Sequence, residues 1–104
     1  MNFAGTNHVT VDAADIKTGQ LTASDTTPAQ LTTETGPLKY GIYLVPLANN
    51  VDFYLNTFGG DPAVAKTNGI LFGSGNPVFV PIKDPSVIYV ISDTNAKKLT
   101  YIMY

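Results

Sequence analysis

The chain contains one histidine, His8. A histidine acting as a base needs an orienting group on one side and a nucleophile on the other. Neither can be assigned, so His8 reads as a surface residue near the terminus. The carboxylates are Asp12, Asp15, Asp25, Glu34, Asp52, Asp61, Asp84 and Asp93. Two would suffice for glycoside hydrolysis. Yet Asp61 and Asp84 each precede a proline, and Asp93 opens Asp-Thr-Asn. In such contexts aspartate accepts backbone N–H groups and shapes a turn. Asp52 falls on the outward side of an alternating stretch. "GGDPAVAKTNG" (59–69) and "GSGNP" (73–77) are glycine-rich, but neither completes the GxxxxGK[ST] pattern of a phosphate loop or has the GxGxxG spacing. "DTNAKK" (93–98) ends in lysines where a calcium loop needs a closing glutamate. With no cysteine, thiolate catalysis, zinc–thiolate sites and disulfides are excluded together. No catalytic, cofactor-binding or metal-ligating residue is assigned, and the expectation is a protein that is not an enzyme and takes no cofactor.

The aromatic residues remain. Tyr40, Tyr43, Tyr54, Tyr89, Tyr101 and Tyr104 could line a sugar-binding face, because aromatic planes stack on pyranose rings. The same residues serve as core and cross-strand pairs. Some, with Phe58 and Phe72, suit a subunit contact, where tyrosine is enriched. The candidate interface set is Tyr54, Phe58, Phe72, Ile88, Val90 and Tyr104.

The elements that must carry them read as strands. "HVTVDA" (8–13) alternates, with Val9, Val11 and Ala13 on one side. The threonine-rich stretch that follows holds little large apolar content. "AQLTTE" (29–34) is a short strand with Ala29 and Leu31 inward, and the rest reads as loop or extended arm. From Gly36 the pattern hardens. "LKYGIYLVPL" (38–47) is aromatic and β-branched, and "VDFYLNTF" (51–58) alternates with Val51, Phe53 and Leu55 on one face. "LANN" between them fits a hairpin turn, since asparagine tolerates positive φ. Asp61-Pro62 resembles the start of a helical turn over Ala63–Lys66, closed at Asn68-Gly69. "ILF", "PVFVPI", "VIYVIS" and "LTYIMY" then alternate with turns. Pro77 and Pro81 bracket Val78–Val80 and suit a sheet edge, because proline cannot donate to a ladder. "VIYVI" and, apart from Thr100, "LTYIMY" are apolar on both faces and suit sheet centres.

The fold class that follows is all-β: a small antiparallel β-sandwich or β-barrel of about seven or eight strands. Residues 1–26 form a polar N-terminal leader or arm, and residues 27–104 the body. A chain of 104 residues matches one domain with one core. Charged residues are 13%, about half the usual share. The six basic residues are all lysine, and the net charge is −2. A duplex-binding protein needs a basic face to neutralise phosphates, so nucleic acid is set aside. No stretch approaches the roughly 20 apolar residues of a membrane-spanning helix. "MNFAGTNHVT" lacks the basic start and apolar run of a signal peptide.

At residues 27–104 the order of features resembles small β-structured virion proteins of tailed bacteriophages. A leader of the kind "PAQLTTETGPLKYGIYLVP" is followed by "NVDFYLNTF", then "TNGILFGSGNPVFVPI", "DPSVIYVISD" and a last strand. The shared features are apolar patterns and turns, with no catalytic signature. The resemblance implies a structural virion role: a capsid decoration (cement) protein on the capsid surface that stabilises the head. Its partners would be the major capsid protein and further copies of itself, a trimer among the arrangements. The alternative is a carbohydrate- or receptor-binding β-domain of a tail fibre or a secreted protein.

Overall fold

A computed structural model describes residues 15–47, 50–57, 66–73 and 75–104. The strand predicted at 8–13, the start of the helical turn at 61–65, and the candidates His8 and Phe58 lie outside them. Among the described residues eight strands form two antiparallel four-stranded sheets. They are β1 (Lys17–Ala23), β2 (Ala29–Gln30), β3 (Ile42–Pro46), β4 (Asp52–Asn56), β5 (Ile70–Gly73), β6 (Val78–Val80), β7 (Tyr89–Ser92) and β8 (Lys97–Met103). One sheet runs β1-β8-β3-β6 and the other β2-β7-β4-β5. We call them the first and second sheet. One buried cluster joins Ile42, Leu44, Leu99 and Met103 of the first sheet to Phe53, Leu55, Phe72 and Val90 of the second. The fold is thus the expected antiparallel sandwich, and the core lies between the sheets. Burying each large aliphatic or aromatic side chain there stabilises the fold by about 1.5–3 kcal/mol.

The period of two sets each face. In β3, Ile42, Leu44 and Pro46 are buried while Tyr43 is exposed. In β4, Phe53 and Leu55 face the core and Tyr54 does not. The expected centres and edge are also found. β7 and β8 are interior strands, and β6, between Pro77 and Pro81, ends the first sheet.

Two expectations are corrected. Residues 17–23 are not an arm. They form β1, paired along its whole length with β8, from Lys17↔Met103 to Ala23↔Lys97. Threonine favours a pleated strand through its branched Cβ, so scarcity of large apolar residues did not prevent a strand here. A boundary at residue 26 therefore falls within the sandwich. "LANN" does not close a hairpin, because β3 and β4 lie in opposite sheets. Its turn chemistry nevertheless holds, with Asn50 at φ 58°. β6 and β7 around Lys83–Ser86 likewise lie in opposite sheets. The connection is a 3₁₀ turn over Pro85–Val87 in which the Asp84 side chain accepts from the Ser86 N–H at 3.0 Å.

β7 is apolar on both faces, and both are covered. Val90 lies in the core, while Ile91 stands opposite Tyr54 on the other face and is still 0% exposed. The chain itself supplies that cover, and no second copy is needed to bury β7.

Candidate interaction surface

The outward side chains of the first sheet form a ladder. Thr18 of β1 stands opposite Ile102 of β8, Ile102 opposite Tyr43 of β3, and Tyr43 opposite Phe79 of β6. Their inward neighbours Ile42, Leu44, Val80 and Met103 contact the core. Because successive side chains alternate, committing those residues to the core turns Tyr43, Phe79 and Ile102 outward. Tyr104 continues the β8 alternation. Its N–H donates to the Gly41 carbonyl at 3.1 Å, and the Tyr40 and Gly41 N–H groups donate to its carbonyl at 2.9 and 3.0 Å. These bonds hold Tyr40 and Tyr104 beside the ladder.

Four rings then meet on the surface. Tyr43 and Phe79 have centroids 5.0 Å apart, Tyr40 and Tyr104 5.8 Å, and Phe79 and Tyr104 6.3 Å. The ring planes are tilted by 53°, 48° and 39°. Tyr40, Tyr43, Phe79 and Ile102 remain 37–40% exposed. Gly41 forms part of the floor. A Cβ there would press into the Val80 carbonyl oxygen and stand 2.9 Å from Phe79 Cζ, and its φ is +147°. Glycine is needed for both the backbone angle and the ring that lies over it.

A cleft of about 310 Å³ adjoins this patch and shares Tyr104 with it. Two exposed ion pairs edge the cleft, Lys17–Glu34 at 3.0 Å and Lys39–Asp15 at 3.4 Å. The charges cancel in pairs. Each pair is solvent-screened and contributes at most about 1 kcal/mol. Of the carboxylates expected at turns, Asp84 serves one, accepting from the Ser86 N–H. Asp93 instead accepts from the N–H of Asp52, far away in sequence at the start of β4, at 3.2 Å, and from the Thr94 hydroxyl at 3.0 Å. Asp61 lies outside the described residues. Among the described residues no three metal-ligating side chains converge.

The candidate interface residues are scattered. Phe72, Ile88 and Val90 are core residues, with Phe72 stacked on Phe53, and present nothing to a partner. Ile88 and Val90 looked available because "VIYVI" is apolar on both faces, and the sandwich uses the side that they occupy. Tyr54 is half-buried on the outer face of the second sheet, between Ile91 and Leu71. Among the described residues of that set, only Tyr104 joins the ring cluster. Phe79 and Ile102 were missed. The available signal was alternation: once Val78 and Val80 share the core side, Phe79 must face outward.

Comparison with family models, curated proteins and solved structures yields no match for the chain. The geometry and chemistry of this surface are what point to a role.

Proposed function

We propose that the chain is a structural protein that docks its aromatic sheet face onto another protein, and that decoration of a bacteriophage capsid is the concrete form of this role. The observation that carries the reading is the contiguous set of Tyr40, Tyr43, Phe79 and Ile102, with half-buried Tyr104 at its margin, left exposed on a sandwich whose core is already complete. Exposed apolar clusters of this kind mark contact surfaces. Tyrosine and phenylalanine are enriched at protein interfaces because they bury much area at little entropic cost. The strands underneath fix the rings before contact. On a capsid, the major capsid protein would receive this face, and the low charge of the chain limits the desolvation that docking requires. Many copies, each held by a modest contact, would oppose the outward pressure of packaged DNA through multivalency.

The test uses heads assembled from the candidate partner, a bacteriophage major capsid protein. The wild-type protein is expected to co-sediment with them, and the Tyr43→Ser/Phe79→Ser variant to lose at least tenfold in affinity while remaining folded. Absence of binding by the wild type, or unchanged binding by the variant, overturns the reading.

A carbohydrate-binding role is the second reading, favoured by the same exposed tyrosines. The tilt between the rings counts against it, since stacking an extended saccharide needs near-coplanar rings. Clear glycan-array signals abolished by Tyr43→Ala would establish it in place of protein docking.

A further inference from the structure

The four edges of the sandwich differ in how well they are protected. β2 has two residues and β6 has three between prolines. β5 has four and ends at Gly73, φ +143°. Short strands, prolines and irregular backbone are the means by which natural edges avoid pairing with other chains. β1 uses none of them. It has seven residues, contains no proline, keeps an unbroken register with β8, and carries a single charge at its first residue, Lys17. Its alternate N–H and C=O groups point away from β8. Among the described residues no backbone group pairs with them.

We propose that β1 is the site at which two copies of this chain join, edge to edge and antiparallel, about a two-fold axis at Gln20. The strand is self-complementary in that register. Lys17 stands opposite Ala23 of the partner subunit, so the two like charges are kept at opposite ends of the seam. Thr18 stands opposite Thr22 of the partner subunit, Gly19 opposite Leu21 of the partner subunit, and Gln20 opposite its own copy. Residues that meet have the same parity, so every outward N–H meets an outward C=O whichever alternate set faces the seam. This is also the only two-fold register that pairs all seven residues. The Thr–Thr and Gln–Gln pairs form hydrogen-bonding contacts on the outer face. The first sheet becomes one eight-stranded sheet, and the two aromatic patches come to lie on one continuous face. A second copy is a better occupant than a head-to-tail neighbour, because a ring through β1 and β6 would have to use the short, proline-bracketed β6. The pairing does not depend on what the aromatic face binds.

The experiment measures mass by sedimentation equilibrium over a wide concentration range and amide exchange along β1. The wild type is expected to be a dimer at high concentration, with protected amides on both edges of β1. Thr18 and Thr22 are exposed, so charge at these positions leaves the fold intact, and a carboxylate in place of Thr22 would face Lys98 within its own chain. Thr18→Glu/Thr22→Glu sets like charges across the seam and should raise the dissociation constant at least tenfold. Thr18→Lys/Thr22→Glu sets opposite charges across the same seam and should restore or tighten the dimer. In this cysteine-free chain, Gln20→Cys should yield a disulfide-linked dimer on oxidation. A wild type that is monomeric throughout, a trimer, a charge pair of variants that behave alike, or a monomer with protected outer-edge amides on β1 overturns the proposal.

Discussion

Two aromatic pairs of nearly the same size and spacing occupy opposite environments. Phe53 and Phe72 face each other across β4 and β5, stacked with centroids 5.4 Å apart and planes 24° from parallel. Tyr43 and Phe79 face each other across β3 and β6, 5.0 Å apart and tilted. The first pair lies between the sheets, and Phe53 is 0% exposed. The second lies on a single sheet, with a glycine beneath one ring and water above. Their separation from one another is not a matter of residue type. It follows from which side of each strand the opposing sheet covers, and it divides the molecule into a pair that holds the fold and a pair free to bind.

Breaking the inner pair should have the largest effect. Phe53→Ala removes a ring from a packed core and should cost about 3–5 kcal/mol, a large part of the roughly 5–15 kcal/mol by which such domains are stable. Chemical denaturation should show a much lower midpoint or an unfolded chain. A loss below about 1 kcal/mol would show that the core does not depend on this pair. The next largest effect comes from the floor of the outer pair. Gly41→Ala forces a Cβ toward the Val80 carbonyl and holds alanine at a φ it seldom adopts, at about 1–3 kcal/mol. Thermal melting reads this as roughly 4–8 °C per kcal/mol. Truncating the outer pair itself comes third. Phe79→Ala should cost about 1 kcal/mol or less while abolishing most partner binding, the reverse of the inner pair.

The same contrast separates what the sequence reveals from what it hides. β4, with Phe53 and Leu55 alternating against Asp52 and Tyr54, is readable because only one of its faces is uniformly apolar. The edge position of β6 is readable because Pro77 and Pro81 cannot donate to a ladder. The turn role of Asp84 is readable because it depends on the neighbouring Pro85 and Ser86. β7 and β8 can be placed at sheet centres but not oriented, since apolar residues occupy both sides. That ambiguity sent Ile88 and Val90 to the candidate interface and passed over Ile102. Sheet membership is hidden for another reason. Turn residues such as Asn50 show that the chain reverses, and a reversal within a sheet uses the same local chemistry as one that crosses between sheets. Among the described strands that follow one another in sequence, only β4 and β5 are neighbours in one sheet, so most of these apparent hairpins are crossings. β1 was hidden because its threonines and glycine carry little hydrophobic signal, and its stability comes from the complete ladder with β8.

The smallest expected effect is also the sharpest test of the comparison. Double-mutant cycles on the two pairs remove the differences in burial and isolate the ring–ring contact itself. Aromatic pairs contribute about 0.5–1.5 kcal/mol beyond the area they bury. Phe53/Phe72, with no competing water, should reach the upper part of that range. Tyr43/Phe79, tilted and half-solvated, should fall near the lower end of it, because water can contact the ring faces that the partner vacates. Stability measurements on the two singles and the double of each pair would provide the values, with leucine rather than alanine at Phe53 and Phe72 so that the inner variants stay folded. Equal couplings would mean that the outer rings are as fixed by one another as the inner ones, and that the outer patch is an extension of the core. A weak outer coupling together with a large loss of partner binding in the same variants would assign Tyr43 and Phe79 to recognition and leave Phe53 and Phe72 to the fold.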